Sequence, residues 1–104
     1  MDYKLVVTRD AERDFDRFID YLLVEKGNFQ AARNMIDDYV ATIDTLKSVA
    51  GSLKLCDNPG LRQRGYHRIR FLKHRYFMLY RIEDDVVFID KIFHELQDYE
   101  NKMI

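Results

Sequence analysis

The spacing of the apolar residues changes near Gly51, from a period of about 3.6 to a period of 2, and that change dictates the order of elements. Before it, Tyr3 to Val7 is a short β-prone run. Thr8 then offers a hydroxyl as a helix N-cap, with Asp10 and Glu12 in the first turn, where the helix dipole favours acids. Ala11, Phe15, Phe18, Ile19 and Leu22 recur at helical spacing and predict an amphipathic helix over residues 9–25. Lys26-Gly27-Asn28 ends it, because Gly and Asn tolerate the left-handed conformation that stops helices. A second helix follows, with Phe29, Ala32, Ile36, Tyr39, Val40, Ile43 and Leu46 on one side, so the pair forms an αα-hairpin with a shared apolar face.

After Gly51 the pattern is that of strands. Asn58-Pro59-Gly60 reads as a turn. Residues 66–72 alternate, with Tyr66, Arg68 and Arg70 on one face and His67, Ile69 and Phe71 on the other. Lys73-His74 leads to a second strand, Arg75 to Ile82, whose faces are Arg75, Phe77, Leu79 and Arg81 against Tyr76, Met78, Tyr80 and Ile82. Glu83-Asp84-Asp85 predicts a hairpin turn, and Val86 to Phe93 a third strand. Leu96, Tyr99 and Met103 return to helical spacing and predict a short C-terminal helix.

The expected fold is one α+β domain spanning residues 1–104, in β-α-α-β-β-β order. Its αα-hairpin packs on one face of a mostly antiparallel four-stranded sheet. Helices so arranged cover a single face, so the other is expected to meet solvent or a ligand. Arg68 and Arg70 are assigned to that open face because Ile69 and Phe71 make better core residues.

Charge is distributed unevenly. No carboxylate lies between Asp57 and Glu83, where Arg62, Arg64, Arg68, Arg70, Lys73, Arg75 and Arg81 supply seven positive charges. The flanks are acidic, so a formal net charge of −1 conceals a polar molecule. A basic patch on alternating strand positions suits a polyanion such as RNA or DNA. The plainer reading is a solvated sheet face paired with the acidic helices. His67 reads as structural, His74 as exposed at a turn, and Tyr76 and Tyr80 as packing residues. His94 and Tyr99 remain open between ordinary and functional roles.

The single Cys56 precludes an internal disulfide and reads as a small buried hydrophobe. Three His and one Cys show no metal-ligand spacing, and no phosphate-cradling glycine motif occurs, so neither metal nor cofactor is expected. No apolar run approaches the length of a membrane span, and Met1-Asp2-Tyr3-Lys4 lacks the layout of a signal peptide. A cytoplasmic protein without membrane partners is expected.

The element order, the segment Tyr66-His67-Arg68-Ile69-Arg70-Phe71, the run Arg75 to Ile82, the acidic turn and the late His94 together resemble the RelE/ParE toxin superfamily of bacterial type II toxin–antitoxin systems. The resemblance implies a cognate antitoxin and one of two activities. RelE-like members are metal-independent endoribonucleases that cut ribosome-bound mRNA, whereas ParE-like members inhibit DNA gyrase. The leading expectation is the nuclease. By this resemblance Arg68 and Arg70, with Arg75 and Lys73 nearby, hold substrate phosphate. His94 transfers protons, Arg81 neutralises developing charge and Tyr99 assists. Such chemistry requires fixed cations aimed at a phosphorane-like transition state, with an acid and a base beside it. The sequence departs from the nuclease pattern at Phe77, where many members carry Arg. That departure favours the alternative, a non-catalytic gyrase inhibitor.

Overall fold

The computed structural model describes residues 2–97 and residue 99. Strand β1 (Lys4–Val7) leads into helix α1 (Arg9–Asp20), which runs on as one π-helical turn, Tyr21–Glu25. Helix α2 (Phe29–Val49) follows, and then a short helix, α3 (Pro59–Gln63). Strands β2 (His67–Arg70), β3 (Tyr76–Glu83) and β4 (Val86–His94) complete the order. The four strands form one sheet in the order β1-β4-β3-β2, antiparallel except where β1 runs parallel to β4. This is the expected α+β architecture, with one helix more among the described residues. The predicted C-terminal helix falls largely outside them.

Local chemistry sets the helix ends. Thr8 caps α1 through its hydroxyl, which accepts from the Ala11 amide, and Asn28 caps α2 in the same way through Ala31. Gly27 before it has φ +56°, a conformation that a side chain would strain. The Asn58-Pro59 pair, expected to form only a turn, starts α3: the Asn58 side chain accepts from the Leu61 amide, and Pro59 occupies a position that needs no amide proton. Gly65 ends this helix at φ +81°, with amide bonds from Gly65 to Arg62 and from Tyr66 to Leu61. Asp84 supplies the left-handed residue of the β3–β4 turn at φ +56°.

Two cores flank the sheet. The main one lies under the αα-hairpin and joins Ala11, Met35, Leu46 and Ala50 to Ile69, Phe71, Met78, Tyr80, Val87, Ile89 and Ile92. Tyr80 is fully buried and donates to the Ala50 carbonyl at 2.9 Å, and burial pushes its phenol well above the usual value. His67 is structural, with Nδ1 2.9 Å from the Leu53 carbonyl and its ring stacked on Tyr80.

The second core corrects the expectation of an open second face. Cys56, Leu61 and Tyr66 fold over Phe77, Leu79 and Phe93, with Tyr99 packed against them. Helix α3 and its flanking chain therefore cover part of the face opposite the hairpin. The phase of α2 also differs from its apolar pattern. Met35, Asp38 and Thr42 turn inward, whereas Phe29, Ile36 and Val40 lie exposed.

Two buried carboxylates explain why polar residues turn inward. Beyond β1, the outer edge of β4 has no strand partner among the described residues, and α1 lies alongside it. Asp14 accepts the Ile92 amide at 3.0 Å, and the Thr8 hydroxyl donates to the Asp90 carbonyl. On α2, Asp38 accepts the amides of Lys73 and His74, at 3.0 and 2.9 Å, and sits 2.6 Å from His74 Nδ1. Thr42 accepts the Leu72 amide, so the β2–β3 connection is pinned to α2 at three successive residues. Burial disfavours charge on Asp38, but the His74 hydrogen bond and the two amides outweigh it and hold its pKa below the ordinary value.

Candidate functional site

Strand register assigns the basic residues to faces. Arg68 lies opposite Leu79 and Arg70 opposite Phe77, so both stand on the face away from the hairpin, as the alternation requires. Each then meets a different neighbour. The Arg68 guanidinium sits 4.1 Å above the Phe77 ring and 5.6 Å from the Tyr99 ring. Phe77 and Tyr99 meet edge to face at 4.9 Å. Arg68 and Tyr99 also line a cleft with residues 53–57, including Lys54 and Asp57. Arg70 instead forms an ion pair with Glu95 at 2.7 Å.

Arg81 is occupied elsewhere. A register shift between Leu79 and Tyr80 leaves Asp90 as the extra residue on β4, a β-bulge that re-aims its side chain. The Asp90 carboxylate receives Arg81 Nε and the Tyr66 hydroxyl, both at 2.8 Å. Glu83 binds the same guanidinium at 2.9 Å, and Phe88 underlies it. The Asp90 hydrogen bond, reinforced by the charges of Asp90 and Glu83, raises the Arg81 pKa against the opposing effect of desolvation. Burial, then the bond to Asp90, raises that of Tyr66.

His94 lies across the sheet from Arg68. It is paired with Tyr76, and the two rings meet edge to face at 4.9 Å. Tyr76 packs into the main core, which places His94 on the hairpin side. Its Nδ1 accepts the Leu96 amide at 3.1 Å, and its own amide donates to Gln97. Lys73 and Arg75 are exposed in the β2–β3 connection, near the end of β4 that carries His94. Of the residues singled out in the sequence, the structure thus brings Arg68 and Tyr99 together. It sets Arg70 against Glu95, Arg81 against Asp90, and His94 on the opposite face.

Several contributors had little sequence signal. Phe77 is the platform under Arg68, although its position drew notice only for lacking a charge. Asp90 was not singled out, and its one signal is that it is the lone acid of the third strand. The Asp38–His74 pair joins positions 36 residues apart, and nothing local announces it. Among the described residues no group of three or more His, Cys, Asp or Glu could hold a metal ion, and no helix is long and apolar enough to cross a membrane.

An αα-hairpin on a four-stranded mixed sheet, with cations on the far face, defines a class of small α+β proteins. Residues 5–99 match the family model for the ParE toxin of the type II toxin–antitoxin system parDE, and the chain belongs to that toxin family. The fold resembles a chain of the chromosomal ParDE system from P. aeruginosa, with 21% identity, 88% of this chain and 95% of that one covered, and a TM-score of 0.71. It also resembles a chain of the RelBE2 toxin–antitoxin complex from Mycobacterium tuberculosis, with 20% identity, 90% and 99% covered, and a TM-score of 0.62. No curated protein matches the chain.

Proposed function

We propose that this type II toxin acts by binding its target rather than by cutting RNA, with DNA gyrase as the target and a cognate antitoxin as the partner that silences it. The observation that carries this reading is the dispersal of the groups a nuclease would have to converge. Metal-free cleavage of RNA requires a proton-transfer pair and cations at a single phosphate. Here Arg81 is held by two carboxylates, Arg70 by a third, and His94 faces away from Arg68. The family match to ParE toxins points the same way.

Arg68, Phe77 and Tyr99 instead form a cation–aromatic platform beside the outer edge of β2. Residues 53–57 already pair with the start of that edge, through the Leu55–His67 bridge and the Cys56 amide. An acidic segment of an antitoxin could enter the cleft that they form with Arg68 and Tyr99 and cover the platform, with carboxylates facing Arg68. A second reading, cleavage of ribosome-bound mRNA, is favoured by the pairing of Arg68 with Tyr99 in one cleft. Mapping 5′ ends of a defined message in a purified translation mix separates the two. No toxin-dependent ends are expected. New ends at ribosome-occupied codons that vanish in Arg68→Ala or His94→Ala would overturn the binding reading.

A further inference from the structure

A cleft of about 420 Å³ opens between α2 and the β2–β3 connection, and its size is that of a small-molecule site. Asn34, Asp37 and Ala41 of α2 line one wall, and Leu72, Lys73 and His74 line the other. The bonds that pin the connection also set the direction of the cleft. Thr42 holds the Leu72 amide, and Asp38, a turn earlier on α2, holds His74. Ala41 and Leu72 therefore make an apolar end, while Asn34, a turn before Asp38, belongs with His74 at a polar one.

At the polar end His74, Asn34 and Lys73 each keep a nitrogen without a partner among the described residues. Buried Asp38 engages His74 through Nδ1 at 2.6 Å, which leaves Nε2 for a ligand. Gln30 donates to Asn34 Oδ1 at 2.9 Å, which leaves the Asn34 amide nitrogen as a donor. Lys73 is exposed and its ammonium has no carboxylate partner among the described residues.

We propose that this cleft binds a phosphomonoester of mononucleotide size, its phosphate held by His74 Nε2, Lys73 and Asn34 and its nucleoside laid against Leu72 and Ala41. A phosphate suits His74 better than a carboxylate does. With Nδ1 committed to Asp38, a neutral ring presents Nε2 as an acceptor and a protonated ring presents it as a donor. A phosphomonoester loses its second proton near a pH of about 6, so it meets either form, donating as the monoanion or accepting as the dianion. A carboxylate at neutral pH meets only the protonated ring. Asp37 opposes a second phosphate but accepts from the hydroxyls of a sugar, which favours a monophosphate. The cleft lies on the hairpin side of the sheet, away from Arg68, and does not depend on the function proposed above.

Two-dimensional NMR of the full chain, titrated separately with AMP and UMP to about 10 mM, tests this. The His74 ring and the amides of Leu72, Lys73 and His74 should shift together and saturate, with a dissociation constant of about 1 mM or below. Adenosine and inorganic phosphate should each bind at least about tenfold more weakly than AMP, since each lacks half of the ligand. Lys73→Met should weaken AMP binding about fivefold or more. Asn34→Asp replaces a donor by a charge that repels phosphate, and should weaken it about tenfold or more. Both positions are exposed, so amide dispersion should show both variants folded. Lys4→Met, which removes a cation elsewhere, should change nothing. No saturable shift with either nucleotide, AMP binding that survives both Lys73→Met and Asn34→Asp, or inorganic phosphate that binds as tightly as AMP would each overturn the proposal.

Discussion

Asp38→Ala is expected to destabilise the protein by about 3 kcal/mol, since it removes one member of a buried pair and strips two amides of their acceptor. For a domain of this size that corresponds to a fall in melting temperature of about 12 °C or more. The Asp38 carboxylate is 1% exposed and holds the β2–β3 connection onto α2, so its loss frees the segment that carries Lys73 and Arg75. Asp38→Asn keeps an oxygen that can accept an amide but loses the charge, and should fall between alanine and wild type.

The pH dependence follows from the lowered pKa of Asp38. A carboxylate with a folded pKa below its unfolded one stabilises the fold fully above the unfolded value, near 3.8, and that stabilisation is lost as pH drops through the folded value. The stability advantage of wild type over Asp38→Asn should therefore hold at neutral pH and shrink on acidification below about pH 4. Thermal or urea unfolding of both proteins across that range measures it directly. An advantage that grows on acidification would contradict the assignment.

The second large effect is expected at Phe77, whose ring is 1% exposed and central to the smaller core. Phe77→Ala should cost about 3–5 kcal/mol through lost burial and the cavity left behind. It also removes the surface on which the Arg68 guanidinium rests and an edge contact to Tyr99. Phe77→Leu fills most of the volume without a π face, and should cost less stability while still loosening Arg68. If Arg68 on its aromatic platform is the antitoxin contact, Phe77→Leu should weaken antitoxin binding about threefold to tenfold, the scale of an exposed cation–π interaction and a displaced ion pair. Titration calorimetry with purified antitoxin would read this. Unchanged affinity in a folded Phe77→Leu protein would remove the platform from the interface.

Much of the fold was legible because its signals are local. Thr8 announces a helix start by its hydroxyl, residues 66–72 and Arg75 to Ile82 alternate, and the acidic turn sits where a hairpin must reverse. What escaped depends on tertiary context. Asn58-Pro59 is compatible with both a turn and a helix start, and only the burial of Leu61 against Phe77 and Phe93 decides between them. Helix α2 was phased by its most apolar residues. Asp38 and Thr42 turn inward because the β2–β3 amides need acceptors, and they displace Ile36 and Val40 to the surface.

Arg68 and Arg70 were read correctly as to face and incompletely as to partners. Period-two alternation suffices to set Arg68 and Arg70 away from the hairpin. It cannot show that Glu95 reaches Arg70, or that a bulge at Asp90 turns a carboxylate toward Arg81. His94 illustrates the same limit. Chain order brings it to the end of β4 near the basic strands, whereas register pairs it with Tyr76 on the other side of the sheet.

The most direct test of the central claim is the rate of negative supercoiling by purified gyrase in the presence of the toxin. A binding toxin directed at gyrase should slow supercoiling in proportion to its occupancy, and stoichiometric antitoxin should reverse the effect. Supercoiling that proceeds unchanged at saturating concentrations of folded toxin would contradict the account.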